Sequence, residues 1–521
     1  MKNHYSMGCG RLLCAGAFAI SMLGSVALPA LAQKSKDTLR YPLTNSESAL
    51  DPYLVTGSYA NTWAPSVFDT LLDYDSKERI WRGHLAKAWA QPTPTTFEFE
   101  LRDDVKWQDG QPFDADDVVH TINYLIDPKV NLRYKATWSW IESAEKLGKY
   151  KVRVTAKRAL PNGLMQLVAR TMIFPNHLHA PLANKQEFGT RPIGTGPYRI
   201  VKIEKNTGIL AERYEGYLAN PAKPRPDIGR IIAEPIPEMG TLVAALLTDR
   251  ADVAEDIPSD QAMSLRDSGR FEISMTPPNM SYTFIGFPTT SWDRVKPLAD
   301  VRVRTAIMKA IDRKALAITE FGDYSKDVQP AESICNKEQL GCGYTKLVPA
   351  FDPVGARKLL AEAGYVDGFD VAISCFRAPD SIATTTVIAG MLRQVGIRAT
   401  VNSHTTAQRV QMIREGKLDM VYHTWDGGAV FEVSQNIARH FLSDEYADPV
   451  LSKMASESFS IMDDSERRKS VAKVIDYATD NAYLFAMLPN DHALTHSKDV
   501  RLINPGVIRA TRVSMHEFAW K

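Results

Sequence analysis

Thr96-Phe-Glu-Phe-Glu-Leu-Arg-Asp-Asp-Val-Lys-Trp-Gln-Asp-Gly110, running on as Gln111-Pro-Phe-Asp-Ala-Asp-Asp-Val-Val119, carries the reading of the whole chain. Phe97, Phe99 and Leu101 alternate with Glu98, Glu100 and Arg102, the two-residue period of a half-buried strand. Asp103-Asp104 interrupts it, Val105 and Trp107 resume its parity, and Asp109-Gly110 supplies a tight turn. Asp114 then stands at a helix N-cap, with Asp117 three residues on as an acidic capping-box partner. Val118, Ile122, Leu125 and Ile126 follow on one helical stripe.

Before this unit, Thr38-Leu-Arg-Tyr41 reads as an opening strand, Asn45 to Ser48 as a polar loop, and Trp63 to Leu72 as a helix with Val67, Leu71 and Leu72 on its apolar stripe. After it, Tyr198 to Ile203 and Ile209 to Arg213 form a hairpin across Asn206-Thr-Gly208. The second half changes rhythm. Asp352 caps a helix that Pro353 opens and Gly364 ends. Strands at 369–376, 397–402 and 418–423 then alternate with helices ending at Gly396 and Glu415. Such βαβαβ order implies right-handed crossovers onto a partly parallel sheet. A change of lobe is expected at Thr276-Pro-Pro-Asn279, with a return near Leu488-Pro-Asn490.

The N-terminus has the pattern of a secretory leader. Lys2 and Arg11 precede an apolar run from Leu12 to Leu28, and Ala30-Leu31-Ala32 offers a cleavage site. A membrane anchor is the competing reading, but the run is short and broken by Gly16, Gly24 and Pro29. Removing residues 1–32 leaves 489 residues with 60 basic and 61 acidic side chains, a balance that steers toward neither nucleic acid nor an anionic membrane surface. That length exceeds what one hydrophobic core sustains, so at least two lobes are expected. In an oxidising compartment Cys335 and Cys342 are expected to close a disulfide loop, and Cys375 to be a buried thiol.

The strand–turn–helix with Leu101-Arg-Asp-Asp-Val-Lys-Trp-Gln-Asp-Gly110 at its corner resembles the signature of the peptide-type (family 5) solute-binding proteins of bacterial ABC importers. The resemblance continues through Ser66 to Asp75, His84 to Trp89, Pro192 to Tyr198, Asp300 to Ala315, Asp352 to Gly364 and Met391 to Ile397. It implies an α/β fold of bilobal periplasmic binding protein type II (cluster C), with two mixed sheets, a split first lobe and a hinge. The lobes it implies are residues 33–278 and 490–521 for lobe I and 279–489 for lobe II. It further implies a periplasmic monomer that takes a small peptide or peptide-like ligand and hands it to an inner-membrane ABC permease. In peptide-binding members an Asp three residues after a late Trp holds the peptide's amino group. Here Trp425 is present, that place is Gly428, and the nearest carboxylate is Asp426. Either Asp426 takes the ammonium in a shifted loop, or the ligand has no amino terminus there.

The candidate ligand-binding residues are Trp425 and Asp426, Arg377 after a strand, Tyr282 and Phe284 on a crossing strand, and Glu47 and Ser48 in the first strand-end loop. Each has a plainer reading. Trp425–Gly428 is then a surface turn, Arg377 an exposed loop residue, and Tyr282 and Phe284 core. His177 with His179, and His492 with His496, have spacings that would suit a metal but lack an acidic or cysteine partner. No metal site and no cofactor are expected. Gly194-Thr-Gly196 leads into Pro197 and a strand, not into the helix of a dinucleotide site. No nucleophile elbow, phosphate loop or catalytic set is legible, so an enzyme is not expected. Competing readings are a binding protein for a non-peptide solute (an oligosaccharide, an opine-like conjugate or a metal chelate), a secreted hydrolase, and an interaction protein.

Overall fold

The computed structural model of the chain describes residues 37–44, 48–54, 58–75, 78, 80–132, 135–161, 163–221, 223–255, 257–275, 282–326, 328–336, 339, 341–425, 433, 437, 440–441, 446–490, 493–503 and 513–521. The first part supplies β1 (Thr38–Arg40), α1 (Ser58–Val67), β2 (Leu72–Asp75), β3 (Ile80–Gly83), β4 (Ala86–Thr93), β5 (Thr96–Leu101), α2 (Ala115–Ile126), β6 (Ile141–Gly148), β7 (Lys151–Ala156), α3 (Gly163–Arg170), α4 (Asn176–His179), β8 (Tyr198–Glu204), β9 (Gly208–Arg213), β10 (Arg230–Ala233), α5 (Met239–Leu247), β11 (Val253–Glu255), α6 (Ser259–Asp267) and β12 (Phe271–Met275).

β5 buries Phe97, Phe99 and Leu101 and lies between β4 and β7 in an antiparallel sheet of order β4-β5-β7-β6. Its outward Glu98 meets Arg153 at 2.7 Å and Lys151 at 3.1 Å. Asp114 caps α2 in a capping box with Asp117. Asp117 also accepts bonds from Trp107 Nε1 at 3.1 Å and from the Asn176 amide at 2.7 Å. The signature acid is thus a buried tie between strand, turn and helix. Near the N-terminus the structure departs from the sequence expectation. α1 ends at Val67, and Leu72 opens β2, which pairs with β3. The Leu71 carbonyl accepts the amides of His84 (3.1 Å) and Ala86 (2.9 Å), so non-local sheet bonding replaces the last helical turn expected there.

The second part supplies β13 (Tyr282–Gly286), α7 (Val301–Ala310), α8 (Arg313–Phe321), α9 (Pro353–Glu362), β14 (Asp370–Phe376), α10 (Pro379–Arg393), β15 (Arg398–His404), α11 (Thr406–Arg414), β16 (Met420–Trp425), α12 (Pro449–Ser458), α13 (Asp464–Asp480) and β17 (Leu484–Pro489). They build a five-stranded sheet of order β15-β14-β16-β13-β17. β14 runs parallel to β15 and β16, and β13 antiparallel to β16 and β17, so the sheet is mixed. Asp352 caps α9 with Pro353 at its first turn, and Gly364 takes φ +88° beyond its end. The disulfide joins Cys335 to Cys342, and Cys375 is a buried free thiol.

β18 (Ala493–Ser497) then pairs with β11 and β12, and β19 (Val500–Leu502) pairs with β20 (Phe518–Trp520). The chain therefore passes from the β11-β18-β12 sheet to the five-stranded sheet after β12, and back again after β17. The expected crossing at Thr276–Asn279 lies outside the described residues, as do residues 1–32. The core is divided in the same way. One large cluster draws on residues 39–253 and 494–518, and two others lie wholly between 284 and 488.

Candidate ligand site

In an α/β sheet, the carboxyl ends of adjacent parallel strands leave a crevice where the following helices diverge. Here Phe376 and His404, the last residues of β14 and β15, are register partners. Trp425, the last residue of β16, lies opposite Tyr282, the first of β13. The Arg377 amide donates to the His404 carbonyl at 3.0 Å, which holds the first residue beyond β14 against the end of β15. α11 is fixed by a Thr405–Gln408 capping box, and Arg409 in its first turn lays its guanidinium over the Phe376 ring at 5.3 Å. His423 meets the Phe376 ring edge-on at 4.9 Å and stacks on Phe284 at 5.8 Å. One sheet end thus gathers two arginines, two histidines and an aromatic floor.

Arg377 is exposed, and among the described residues no carboxylate pairs with it. Arg409 is buried. Burial first, and then the Arg377 and Arg409 charges, lower the pKa of His404, so its imidazole is neutral at pH 7. Its Nε2 is buried and has no hydrogen-bond partner among the described residues.

Of the residues expected at a site, Arg377, Tyr282 and the backbone of Trp425 come together at this end of the sheet. Tyr282 is half-buried there. Phe284 is only 2% exposed and packs in the core, edge-on to His440 at 5.2 Å, so it supports the floor from beneath. Ser48 is exposed in the segment after β1. Glu47 and Asp426 lie outside the described residues. Sequence reasoning passed over His404 and Arg409. The rule that singled out Arg377, a polar residue at a strand's carboxyl end, applies equally to His404.

A second polar cluster is enclosed in the first part of the chain. His84 lies between Asp69 (3.2 Å) and Asp73 (2.5 Å), and Lys223 pairs with Asp69. Thr195 donates to Asp69 at 2.8 Å and Asn220 to Asp73 at 3.0 Å. Burial works against charge here, but the two carboxylates outweigh it and push His84 up to about 9. Among the described residues two carboxylates and two cations meet here, an internal tie. The described members of the histidine pairs with metal-like spacing are each engaged elsewhere. His177 bonds Asp109 at 2.7 Å, His179 bonds His120 at 2.8 Å, and His496 bonds Ser274 at 2.9 Å. His492 lies outside the described residues. Among the described residues no group of three or more His, Cys, Asp or Glu is placed to hold a metal.

A family model described as Bacterial extracellular solute-binding proteins, family 5 Middle, matches residues 81–447. The chain belongs to this family. It is similar to the Glutathione-binding protein GsiB of Shigella boydii serotype 4 (strain Sb227), 29% identical over 387 residues that cover 73% of this chain and 72% of the relative. Among solved structures, NikA from Brucella suis in complex with Fe(III)-EDTA matches with a TM-score of 0.80 at 20% identity, covering 93% of this chain and 100% of NikA. The dipeptide binding protein from Pseudoalteromonas sp. SM9913 in complex with Met-Leu matches with a TM-score of 0.75 at 20% identity and the same coverage. These likenesses establish the fold as the α/β bilobal type II periplasmic binding protein. Family 5 is a family of ABC-importer binding proteins and not of catalysts. Among the described residues no helix is long and apolar enough to cross a membrane.

Proposed function

We propose that this family 5 protein is exported to the periplasm, loses residues 1–32, and as a monomer captures a small peptide or peptide-like solute for an inner-membrane ABC permease. Lobe I comprises 33–278 with the return 490–521, and lobe II comprises 279–489. The ligand lies against the carboxyl end of the five-stranded sheet and is enclosed when the lobes close. Closure follows because the ligand touches both lobes only in the closed state, which shifts the population toward it. The protein binds and releases its solute without transforming it.

The observation that carries this reading is Arg377, an exposed guanidinium just beyond the end of β14 with no carboxylate partner among the described residues, a group suited to pairing with a ligand carboxylate. The names of the glutathione-binding and dipeptide-binding relatives point to the same chemistry. Calorimetric titration of mature protein with a dipeptide panel tests it. Arg377→Ala is expected to weaken the best peptide at least ~10-fold, about 1.4 kcal/mol. Unchanged affinity would remove Arg377 from the site. Gly428, where peptide-binding members carry an Asp, together with the chelate bound by NikA, favours a second reading as a binder of an opine-like conjugate or metal chelate. Saturable binding of such solutes with no response to any peptide would select it.

A further inference from the structure

We propose that Asp51, Tyr124 and His179 form an enclosed water-binding site in the core of the first part of the chain, where one bound water ties the β1–α1 connection to α2 and α4. Such a site is independent of which solute the protein carries.

Three buried polar atoms define it. Asp51 is 1% exposed, Tyr124 7% and His179 0%, yet Asp51 Oδ2, the Tyr124 hydroxyl and His179 Nε2 have no hydrogen-bond partner among the described residues. Their remaining polar atoms are taken. Asp51 Oδ1 accepts the amides of Tyr53 at 2.7 Å and Leu54 at 3.0 Å, which turns the chain and fixes the carboxylate. His179 Nδ1 is bonded to His120 Nε2 at 2.8 Å, which fixes the ring and leaves Nε2 as its open position.

The three side chains share one neighbourhood. The Tyr124 ring meets the His179 ring edge-on at 4.6 Å. Phe188 packs on His179 at 5.3 Å, and the next residue, Gly189, comes so close to Asp51 that a Cβ there would lie 3.2 Å from the Asp51 Cβ. The Asp51 charge reaches Tyr124, whose hydroxyl is pushed up by burial first and by Asp51 second.

Left bare, a carboxylate oxygen, a phenol and an imidazole nitrogen would each lose hydration with no return. A water offers two donors and two acceptors, and buried waters make about three hydrogen bonds. Here it would accept from the Tyr124 O–H and donate to Asp51 Oδ2. Burial first, with Lys185 adding to it, lowers His120 to about 4 and His179 to about 3, so both rings are neutral at pH 7. Toward His179 Nε2 the water donates or accepts, and so suits either tautomer of the pair. A cation fits less well, because two oxygens and one nitrogen fall short of the roughly six oxygens that a hard cation takes.

The test is a high-resolution crystal structure of the mature wild-type protein, joined to oxygen-17 relaxation dispersion in solution, which counts long-lived buried waters. The expected result is a single density peak within hydrogen-bond distance of Asp51 Oδ2, the Tyr124 hydroxyl and His179 Nε2. Asp51→Leu, which replaces the acceptor with an apolar branch, is expected to lose one long-lived water relative to the wild type. A Tyr124 hydroxyl bonded directly to Asp51, no density among the three atoms, or a peak at the short distances of a metal ion would overturn the site. Equal water counts in wild type and a folded Asp51→Leu would overturn it too. If that variant does not fold, the wild-type crystal structure decides alone.

Discussion

His84 shows how a single residue's environment sets the pH range of the fold. Its folded pKa of about 9 lies above the ordinary 6.5, so the stabilisation it contributes is fully present below 6.5 and is lost as pH rises through 9. Asp69 is shifted the opposite way. Burial would raise it, but His84 and Lys223 together hold it well below the usual carboxylate range, so its contribution is present above about 3.8 and is lost as pH falls further. The contribution of this pair to the urea midpoint should therefore be flat from about pH 4.5 to 6.5 and decline toward pH 10, by on the order of 3 kcal/mol from the His84 shift alone. His84→Gln should flatten the alkaline limb, and a wild-type profile without that limb would show that the ion cluster is not coupled to folding. Lys223→Met, which breaks the buried pair with Asp69 and leaves His84 and Thr195 as its described partners, should cost roughly 3 kcal/mol. The cluster could not be read as a cluster from sequence. Its members are separated by up to 154 positions, and only the fold brings Lys223 to Asp69.

Local elements were the legible part of the fold. The alternation of β5, the Asp114 cap and the stripe of α2 are set by neighbours within four residues, and the structure has each of them. The boundary of α1 was not legible, because Leu71 and Leu72 satisfy either a helical stripe or a buried strand, and the deciding bonds come from His84 and Ala86. The two signature acids separate by burial. Asp114→Ala removes a cap and should cost about 1 kcal/mol. Asp117→Ala also orphans the Trp107 indole and the Asn176 amide, and should cost two to three times as much, read from denaturant midpoints. Equal losses would mean that Asp117 is only a capping partner. The disulfide is a similarly local tie. Opening the loop between Cys335 and Cys342 by Cys342→Ser should lower stability by about 2–3 kcal/mol, the chain-entropy value for so short a loop.

At the scale of the whole molecule, function depends on what the two crossings permit. The five-stranded sheet is joined to the rest of the chain after β12 and before β18, and connections of a few residues can absorb the dihedral changes of a closing motion. The parallel order of β14, β15 and β16 was legible from the βαβαβ rhythm, and with it the end of the sheet at which ligands gather. The register that sets His404 against Phe376, and the pairing of Arg409 with that ring, required the folded chain. If the lobes close on a ligand, small-angle scattering should show a smaller radius of gyration when a bound peptide is present, and no change for a peptide that does not bind.

The most direct measurement is native mass spectrometry of the mature protein incubated with an equimolar pool of di- and tripeptides, followed by denaturing release. The predicted result is one peptide per chain, recovered at its intact mass. A protein that retains no peptide, or one that returns cleaved fragments, would contradict capture of a peptide-like solute without turnover.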